Sequence, residues 1–220
     1  MRVPELGACG GDAAAVPERE PPAWFGRYPH LWAVGRQGDR ASDDAGHLPG
    51  AGLSVRKAAW KQVTAGGFVP MLVGRQGHTA SSAEDTELCL ALRLAGWRLR
   101  YDPRLRLQHF LPAERLTWDY ARRVSRGWGL ASASLVHYLA AGGMRGRGGR
   151  LRHSWTWWLA STAGRLMVVG LLAQGWRSEG SAMVLRLEVL RGRVRGLLAQ
   201  RRVWTANGRR VREAPWRRPC

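Results

Sequence analysis

The segment from residue 84 to residue 109 constrains the fold most strongly, because it predicts one helix followed by one strand. Three acidic residues open the segment: Glu84, Asp85 and Glu87. An apolar run follows up to Leu94, Gly96 closes the predicted helix, and an extended stretch then leads to His109. The chain is therefore expected to be an α/β protein. In it, this helix and strand connect the acidic cluster at one end of the segment to His109 at the other.

Further motifs flank this segment. The small-residue loop Gly50-Ala51-Gly52 precedes a predicted strand at residues 53–55 and a predicted helix at residues 57–63. Glycine turns follow at 66–68 and 74–77, and residues 75–83 have the composition of a mobile loop. Residues 31–34 predict a strand, and residues 117–124 and 130–139 predict two helices with a break at 127–129.

The order of these motifs resembles the acceptor-side half of a family-2 glycosyltransferase, over roughly residues 7 to 138. The resemblance implies an α/β fold that forms the carboxy-terminal part of a GT-A fold, with a helical carboxy-terminal extension. Residues 1–140 then form the acceptor-side half, residues 141–150 a Gly/Arg linker, and residues 151–220 a basic helical tail that is peripheral to a membrane.

The resemblance also assigns roles to individual residues. An aspartate at the position of Asp85 is the base that deprotonates the acceptor hydroxyl, with Glu84 beside it. A histidine at the position of His109 lies near the metal and the diphosphate. Donor or acceptor contacts are implied for seven further positions: Gly50, Ala51, Gly52, Arg93, Arg123, Arg126 and Trp128.

Simpler interpretations of the same residues remain open. Asp85 has the position of a helix N-cap, His109 that of a structural histidine at a strand end, and Arg93 that of a solvated surface arginine. Arg93 also lies about two helical turns after Asp85, from where it is able to pin a loop by an ion pair. The Gln-x-x-Arg-Trp order of processive enzymes is absent from the sequence, which favours the addition of one sugar at a time.

The resemblance implies a donor-binding half that ends in Asp-x-Asp, a motif that binds a divalent cation, Mn²⁺ or Mg²⁺, together with the sugar nucleotide. The 220 residues contain no Asp-x-Asp, and Asp43-Asp44 has the setting of a surface turn. We therefore expect an amino-terminally truncated enzyme that retains the acceptor side. The expected partners are a nucleotide-sugar donor and a glycan or lipid-linked acceptor, with inversion at the anomeric carbon.

Charge is concentrated in the second half of the chain. The net charge is +19, and residues 121–220 carry 20 arginines against three glutamates. Between residues 182 and 204, apolar side chains recur every three or four positions among arginines, which predicts a basic amphipathic helix. Such a helix is typical of an anchor on an anionic inner leaflet, although packing against the catalytic domain explains the same stripe.

The chain has no apolar run typical of a secretory signal in residues 1–23, so the expected location is the cytoplasm, at the inner face of the cell membrane. Two other functions remain as alternatives. A basic nucleic-acid-binding protein would explain the charge, but no helix-turn-helix, zinc or ribonucleoprotein pattern accompanies it, and nucleic acid is not an expected partner. An inactive remnant would explain the missing donor half.

The 220 residues are expected to bind neither a nucleotide sugar nor Mn²⁺ tightly, because one histidine and one carboxylate do not complete an octahedral site. Calorimetric titration of the chain with each ligand, alone and together, measures this. Tight nucleotide binding that depends on the metal would contradict the expected truncation.

Overall fold

The computed structural model describes residues 5–72, 83–142, 154–172 and 178–218. The chain divides into two compact units. The first comprises Met1–Pro70, Glu84–Ala113 and Arg212–Cys220, and the second comprises Met71–Ala83 and Glu114–Val211. The predicted loop at 75–83 and the linker at 141–150 lie outside the described residues, except for Ala83, Ala141 and Gly142. The domain boundaries at 140 and 150 therefore stay predictions.

A small three-stranded sheet forms the centre of the first unit. β1 (Leu6–Pro17) lies between β2 (Ser54–Val55), which is antiparallel to it, and β3 (Arg98–Leu111), which is parallel. Because parallel neighbours need a crossover connection, the chain between β1 and β3 has room for helices α1 (Lys57–Ala65) and α2 (Glu84–Leu94). The mixed α/β class is confirmed at this coarse level.

Helix α2 confirms the helix predicted from the acidic cluster. Its first turn contains the three acidic residues, and its middle is buried from Cys89 to Leu92. Gly96 adopts a φ of 90°, and the N–H of Trp97 donates to the carbonyl of Leu92 at 3.0 Å. This left-handed glycine ends the helix in the way the sequence predicts.

The predicted strand at residues 31–34 is wrong, because Pro29–Trp32 forms a short 3-10 helix. Pro29 presets the backbone of its first residue. The indole of Trp32 packs against Trp24 and Phe25, with ring centroids 6.0 and 4.6 Å away. Burial of this aromatic cluster outweighs the local strand preference of the segment.

The described part of the second unit contains four α-helices: α3 (Trp118–Ala141), α4 (Trp155–Leu172), α5 (Ala182–Ala199) and α6 (Trp204–Arg212). The last residue of α6, Arg212, is assigned to the first unit. The predicted break at 127–129 is wrong, since α3 is continuous. A Cβ built on Gly129 would lie 1.9 Å from the carbonyl oxygen of Val189, and one on Gly192 would lie 2.0 Å from that of Arg126. The glycines are thus contact points where two helix backbones meet, rather than a helix end.

Indole side chains complete the core of the second unit. Trp204 packs with Ala133, Val136 and Leu197, and Trp155 and Trp158 of α4 lie against this cluster. The indole N–H of Trp155 donates to the carbonyl of Leu197 at 2.6 Å, so its polar atom is satisfied. Helix α4 is therefore fixed to α5 along its amino-terminal half.

The carboxy-terminal segment that follows α6 belongs to the first unit. The N–H of Arg218 donates to the carbonyl of Leu94 at 3.0 Å, at the end of α2. Trp216 meets Phe68 edge to face, with centroids 5.6 Å apart, and lies against Gly66 directly after α1. The segment therefore covers the ends of both helices of this unit.

Replacement of Gly192 by alanine is expected to destabilise the second unit by about 1–3 kcal/mol, because the added methyl must separate α3 from α5. Gly164→Ala in α4 is the matched control, since nothing lies within 4 Å of a Cβ built there. The control is expected to be neutral or to add up to about 1 kcal/mol through helix propensity. Urea unfolding followed by circular dichroism measures both, and equal midpoints for Gly192→Ala and the parent chain would contradict the packing argument.

Candidate functional site

Asp85 lies in the first turn of α2, where its carboxylate is held by two backbone groups. The N–H of Gly50 donates to Oδ2 at 2.6 Å, and the N–H of Thr86 donates to Oδ1 at 2.7 Å. Asp85 is half-buried and the neighbouring Glu84 is exposed. The structure therefore brings the acidic motif and the small-residue loop, which are 35 residues apart, into direct contact.

The loop Gly50-Ala51-Gly52 depends on its small residues for this contact. A Cβ on Gly50 would lie 3.1 Å from Asp85 Oδ2, so a larger side chain would crowd the carboxylate. Gly52 has a φ of 77°, and a Cβ there would lie 2.8 Å from Leu107 of β3. The N–H of Leu53 closes the turn on the carbonyl of Gly50 at 3.2 Å. The turn thus requires glycine both for its backbone conformation and for space.

One side of α2 holds the chain from residue 44 to residue 50. Asp85, Cys89 and Arg93 follow each other at intervals of four and therefore share a helix face. The Cys89 thiol donates to the carbonyl of Leu48 at 3.8 Å, and the Arg93 guanidinium pairs with Asp44 at 3.3 Å. The structure places Arg93 in a loop-pinning ion pair, as one of the two open interpretations has it.

Cys89 does not serve as a nucleophile in this arrangement. Its side chain is fully buried, and burial raises the pKa of the thiol to about 11. Because the thiolate is the reactive form, a thiol with this pKa is inert at neutral pH. Cys89 therefore belongs to the packing that positions Asp85.

His109 lies in β3, opposite Ala15 of β1, and is half-buried. Within the described ranges, no three histidine, cysteine, aspartate or glutamate side chains come together in a group that fits a metal ion. The donor set that a Mn²⁺ or Mg²⁺ site requires is therefore not met by the residues that the structure describes. A role for His109 at a metal stays a prediction.

Arg123, Arg126 and Trp128 lie on α3, in the second unit. Arg123 pairs with Asp119 one turn earlier at 3.4 Å, and Trp128 is half-buried. Arg126 donates to Glu188 of α5 through both Nε and a terminal nitrogen, each at 2.7 Å. Arg126 is therefore engaged in an ion pair between α3 and α5. Its partner, Glu188, was not identified from the sequence.

Glu188 is fully buried and meets three arginines, because Arg122 at 2.9 Å and Arg191 at 3.4 Å join Arg126. Burial by itself would raise the pKa of this carboxyl, but the hydrogen bonds from Arg126 and Arg122 outweigh it and hold the pKa below its usual value. The charged form of Glu188 is thus the stable one in the folded unit. The spacing of Glu188 within a stripe of arginines is the signal that could have revealed it.

The settings of three acidic residues of the first unit were not predicted. Glu87, two residues after Asp85 in α2, is fully buried. The hydroxyl of Tyr101 donates to Asp12 and lies 2.8 Å from the carbonyl oxygen of Gly38, and its burial and the bond to Asp12 raise the pKa of the phenol. Hydrogen bonds from Arg104 lower the pKa of Asp102 to about 2. Asp12 and Asp102 thus tie β1 and β3 to their surroundings through side-chain bonds.

The structure supports packing, rather than exposure, of the apolar stripe that was predicted between residues 182 and 204. Of the five stripe residues, Leu190 and Leu197 are buried within the second unit, and Val184, Leu187 and Val194 are half-buried. The structure therefore favours the alternative in which this stripe packs against protein. No helix in the described part of the chain has the length and apolarity needed to cross a membrane.

No protein-family model, no curated protein and no solved structure matches this chain. A function must therefore be argued from the residues themselves. The contact between Asp85 and Gly50 is the strongest geometric observation for that purpose, since it joins two motifs that are distant in the sequence.

Replacement of Glu188 by glutamine is expected to cost about 1–3 kcal/mol at neutral pH, because bonds between charged partners are lost. Since the folded pKa lies below the unfolded one, the stabilisation is complete above the ordinary glutamate range near about pH 4.3 and disappears as the pH falls through the lower folded value.

Unfolding of the parent and variant chains, measured from about pH 6 to about pH 3, should show this pH-dependent part only in the parent. Glu114→Gln is the matched control, since Glu114 is exposed in the same unit and is expected to change stability by less than about 0.5 kcal/mol. A parallel pH dependence in the parent and in Glu188→Gln would contradict the assignment.

Proposed function

We propose that this protein is a glycosyltransferase similar to those of family 2. It transfers one sugar from a nucleotide-sugar donor to a hydroxyl of a cell-surface glycan or lipid-linked acceptor, with inversion. The observation that carries the proposal is the hydrogen bond from the Gly50 N–H to Asp85. It joins the acidic motif to the small-residue loop, and the resemblance to family 2 assigns both to one acceptor site.

Asp85 is the base in this proposal. Each carboxylate oxygen has two acceptor positions. Oδ1 accepts from the N–H of Thr86 and, at 3.4 Å, from its hydroxyl, whereas Oδ2 accepts from the N–H of Gly50. Among the described donors, one position on Oδ2 is thus left for the acceptor hydroxyl. As the hydroxyl oxygen attacks the anomeric carbon, its proton moves to Asp85, and the bond from that carbon to the donor diphosphate breaks.

The surroundings of Asp85 suit this role. The helix dipole at the first turn of α2 favours a negative charge at this position. The bonds from Gly50 and Thr86 orient the carboxylate, and Cys89 and Arg93 hold the preceding loop along the same helix face. A base held in this way loses little orientational freedom when the acceptor binds.

The fold part of the proposal is that the first unit corresponds to the acceptor side of a GT-A domain. Its small sheet, with β1 parallel to β3 and α2 leading into β3, is compatible with that arrangement. A divalent cation would neutralise charge on the departing diphosphate in such an enzyme. The described residues do not offer a group of three ligands for it, so the proposed chemistry of this chain is confined to acceptor activation.

A cytoplasmic location at the inner face of the cell membrane belongs to the same proposal, because a lipid-linked acceptor is held at a membrane surface. The concentration of arginine in the second half of the chain supports attraction to an anionic leaflet.

Asp85→Asn is expected to lower transfer by about a hundredfold to ten-thousandfold, because asparagine keeps an oxygen for the Gly50 N–H but does not accept the proton. The assay follows a radiolabelled nucleotide sugar into membrane acceptors, and the parent and variant proteins both carry a restored donor-binding half, because the 220 residues are not expected to bind the donor alone. Stability is measured in parallel and is expected to change little.

Asp39→Asn is the matched control, since it removes a carboxylate that is 94% exposed and lies outside the site. It is expected to keep the parent rate. Parent-like transfer by Asp85→Asn would remove Asp85 from the mechanism, and absence of transfer to any acceptor by the parent protein would overturn the proposed activity.

A further inference from the structure

Helix α4 presents an apolar face to solvent. Met167, Val168, Leu171 and Leu172 are between 54% and 66% exposed, whereas Thr162 and Val169 are buried on the other side. The four exposed residues lie within two turns of the carboxy-terminal half of the helix. Large side chains that are this exposed and contiguous mark an interaction site more often than a surface without a role.

The amino-terminal half of α4 explains why this face is not simply part of the core. Trp155 and Trp158 pack against the core cluster of the unit, and Arg201 and Arg193 of the same unit lie over their rings. The contact between α4 and α5 therefore uses one side of the helix only. The opposite side has the composition of a buried surface but is exposed.

Positive charge borders the apolar face. Arg165 precedes Val168 by three residues and Leu172 by seven, so these side chains share one side of α4. Helix α4 contains no aspartate or glutamate. The face is thus apolar at its centre and cationic at its edge, which is complementary to an anionic lipid surface.

Arg193 of α5 belongs to the packed side of α4, because its guanidinium carbon lies 4.6 Å from the centroid of the Trp158 ring. Burial lowers the pKa of Arg193, and the charge of Arg165 lowers it further. Arg165 itself is exposed beside the apolar face and is therefore the described α4 cation that is accessible to an anionic surface.

We propose that the carboxy-terminal half of α4 inserts its apolar side chains into the surface of an anionic bilayer, while Arg165 binds lipid phosphate groups. This inference rests on the membrane location within the proposed function and names the surface responsible. It assigns membrane binding to α4 instead of the apolar stripe of α5, in which Leu190 and Leu197 are buried. A nucleic acid would use the arginines but gain nothing from exposed leucines, and a second copy of the chain would bring like charges together.

The experiment is co-sedimentation of the full chain with vesicles of phosphatidylcholine alone or mixed with phosphatidylglycerol. The parent chain is expected to bind the anionic vesicles, and part of this binding should persist at high salt because the apolar contribution is not screened. Val168→Glu with Leu171→Glu is expected to weaken binding by at least about tenfold, since two apolar contacts are lost. Arg165→Gln is expected to weaken it by about fivefold at low salt.

Leu198→Glu with Val203→Glu is the matched control. It introduces the same charge at apolar residues of the same unit that are 53% and 46% exposed, but outside α4. Its binding is expected to stay within about twofold of the parent, a change smaller than that of one lost surface arginine. Equal losses in the control and in the α4 variant would overturn the assignment to α4, and so would unchanged binding of the α4 variant.

Further measurements distinguish the lipid surface from a nucleic acid or a second copy of the chain. They also distinguish failure of the membrane proposal from failure of the enzymatic proposal. Binding to duplex DNA with a steep salt dependence, without binding to vesicles, would overturn the lipid surface in favour of nucleic acid. A parent dimer that the α4 variant dissociates, with vesicle binding unchanged, would overturn it in favour of a second copy. Asp85→Asn is expected to bind vesicles like the parent, so loss of vesicle binding and loss of transfer are independent results.

Discussion

The first unit depends on the contacts of a single helix, α2. Its amino-terminal turn accepts the Gly50 N–H on Asp85, its middle contacts Leu48 through Cys89, and its last turn pairs with Asp44 and accepts the N–H of Arg218. Each bond joins residues far apart in the sequence. Contacts with this one helix therefore offset the loss of conformational entropy when several loops become ordered. The position of the candidate base is consequently a property of the whole unit.

The second unit differs from the first, because its packed helices carry many arginines. Glu188 is fully buried and joins Arg122, Arg126 and Arg191, so one carboxylate compensates several positive charges between α3 and α5. Gly129 and Gly192 bring the same two helices into backbone contact. Most of the other arginines that the structure describes in this unit are exposed, where water solvates them.

Local sequence patterns predicted the elements whose signals are local. The acidic first turn and Gly96 of α2, and the glycines after α1, place helix ends through caps and backbone conformation, and the structure agrees. The resemblance to a family gave roles to Asp85 and to Gly50, but the hydrogen bond between them was not predicted, since a spacing of 35 residues has no local signature.

The wrong predictions concern residues whose conformation depends on contacts with segments that are distant in the sequence. Glycine in a helical pattern predicts a break, yet Gly129 is where a second helix backbone approaches. Residues 31–34 have strand propensity, but the aromatic rings around Trp32 favour a 3-10 turn. An alternating apolar and basic helix predicts a lipid anchor, whereas α5 buries Leu190 and Leu197 of its stripe in protein and α4 exposes an apolar face. The burial of Glu188 and of Glu87 was not predicted, because burial of a carboxylate depends on residues from other elements.

The docking of residues 212–218 onto the ends of α1 and α2 has a consequence for biosynthesis. The first unit contains segments from near the beginning and near the end of the 220 residues, so its contacts span almost the whole chain. During translation, β1 and α2 are made long before Trp216 and Arg218. Until those two residues are made, the ends of α1 and α2 are not covered by them. Domains usually complete from the amino terminus as they are made. Here β1 and α2 belong to a unit that is complete only once residues 212–218 have been made, after the last residue of the second unit.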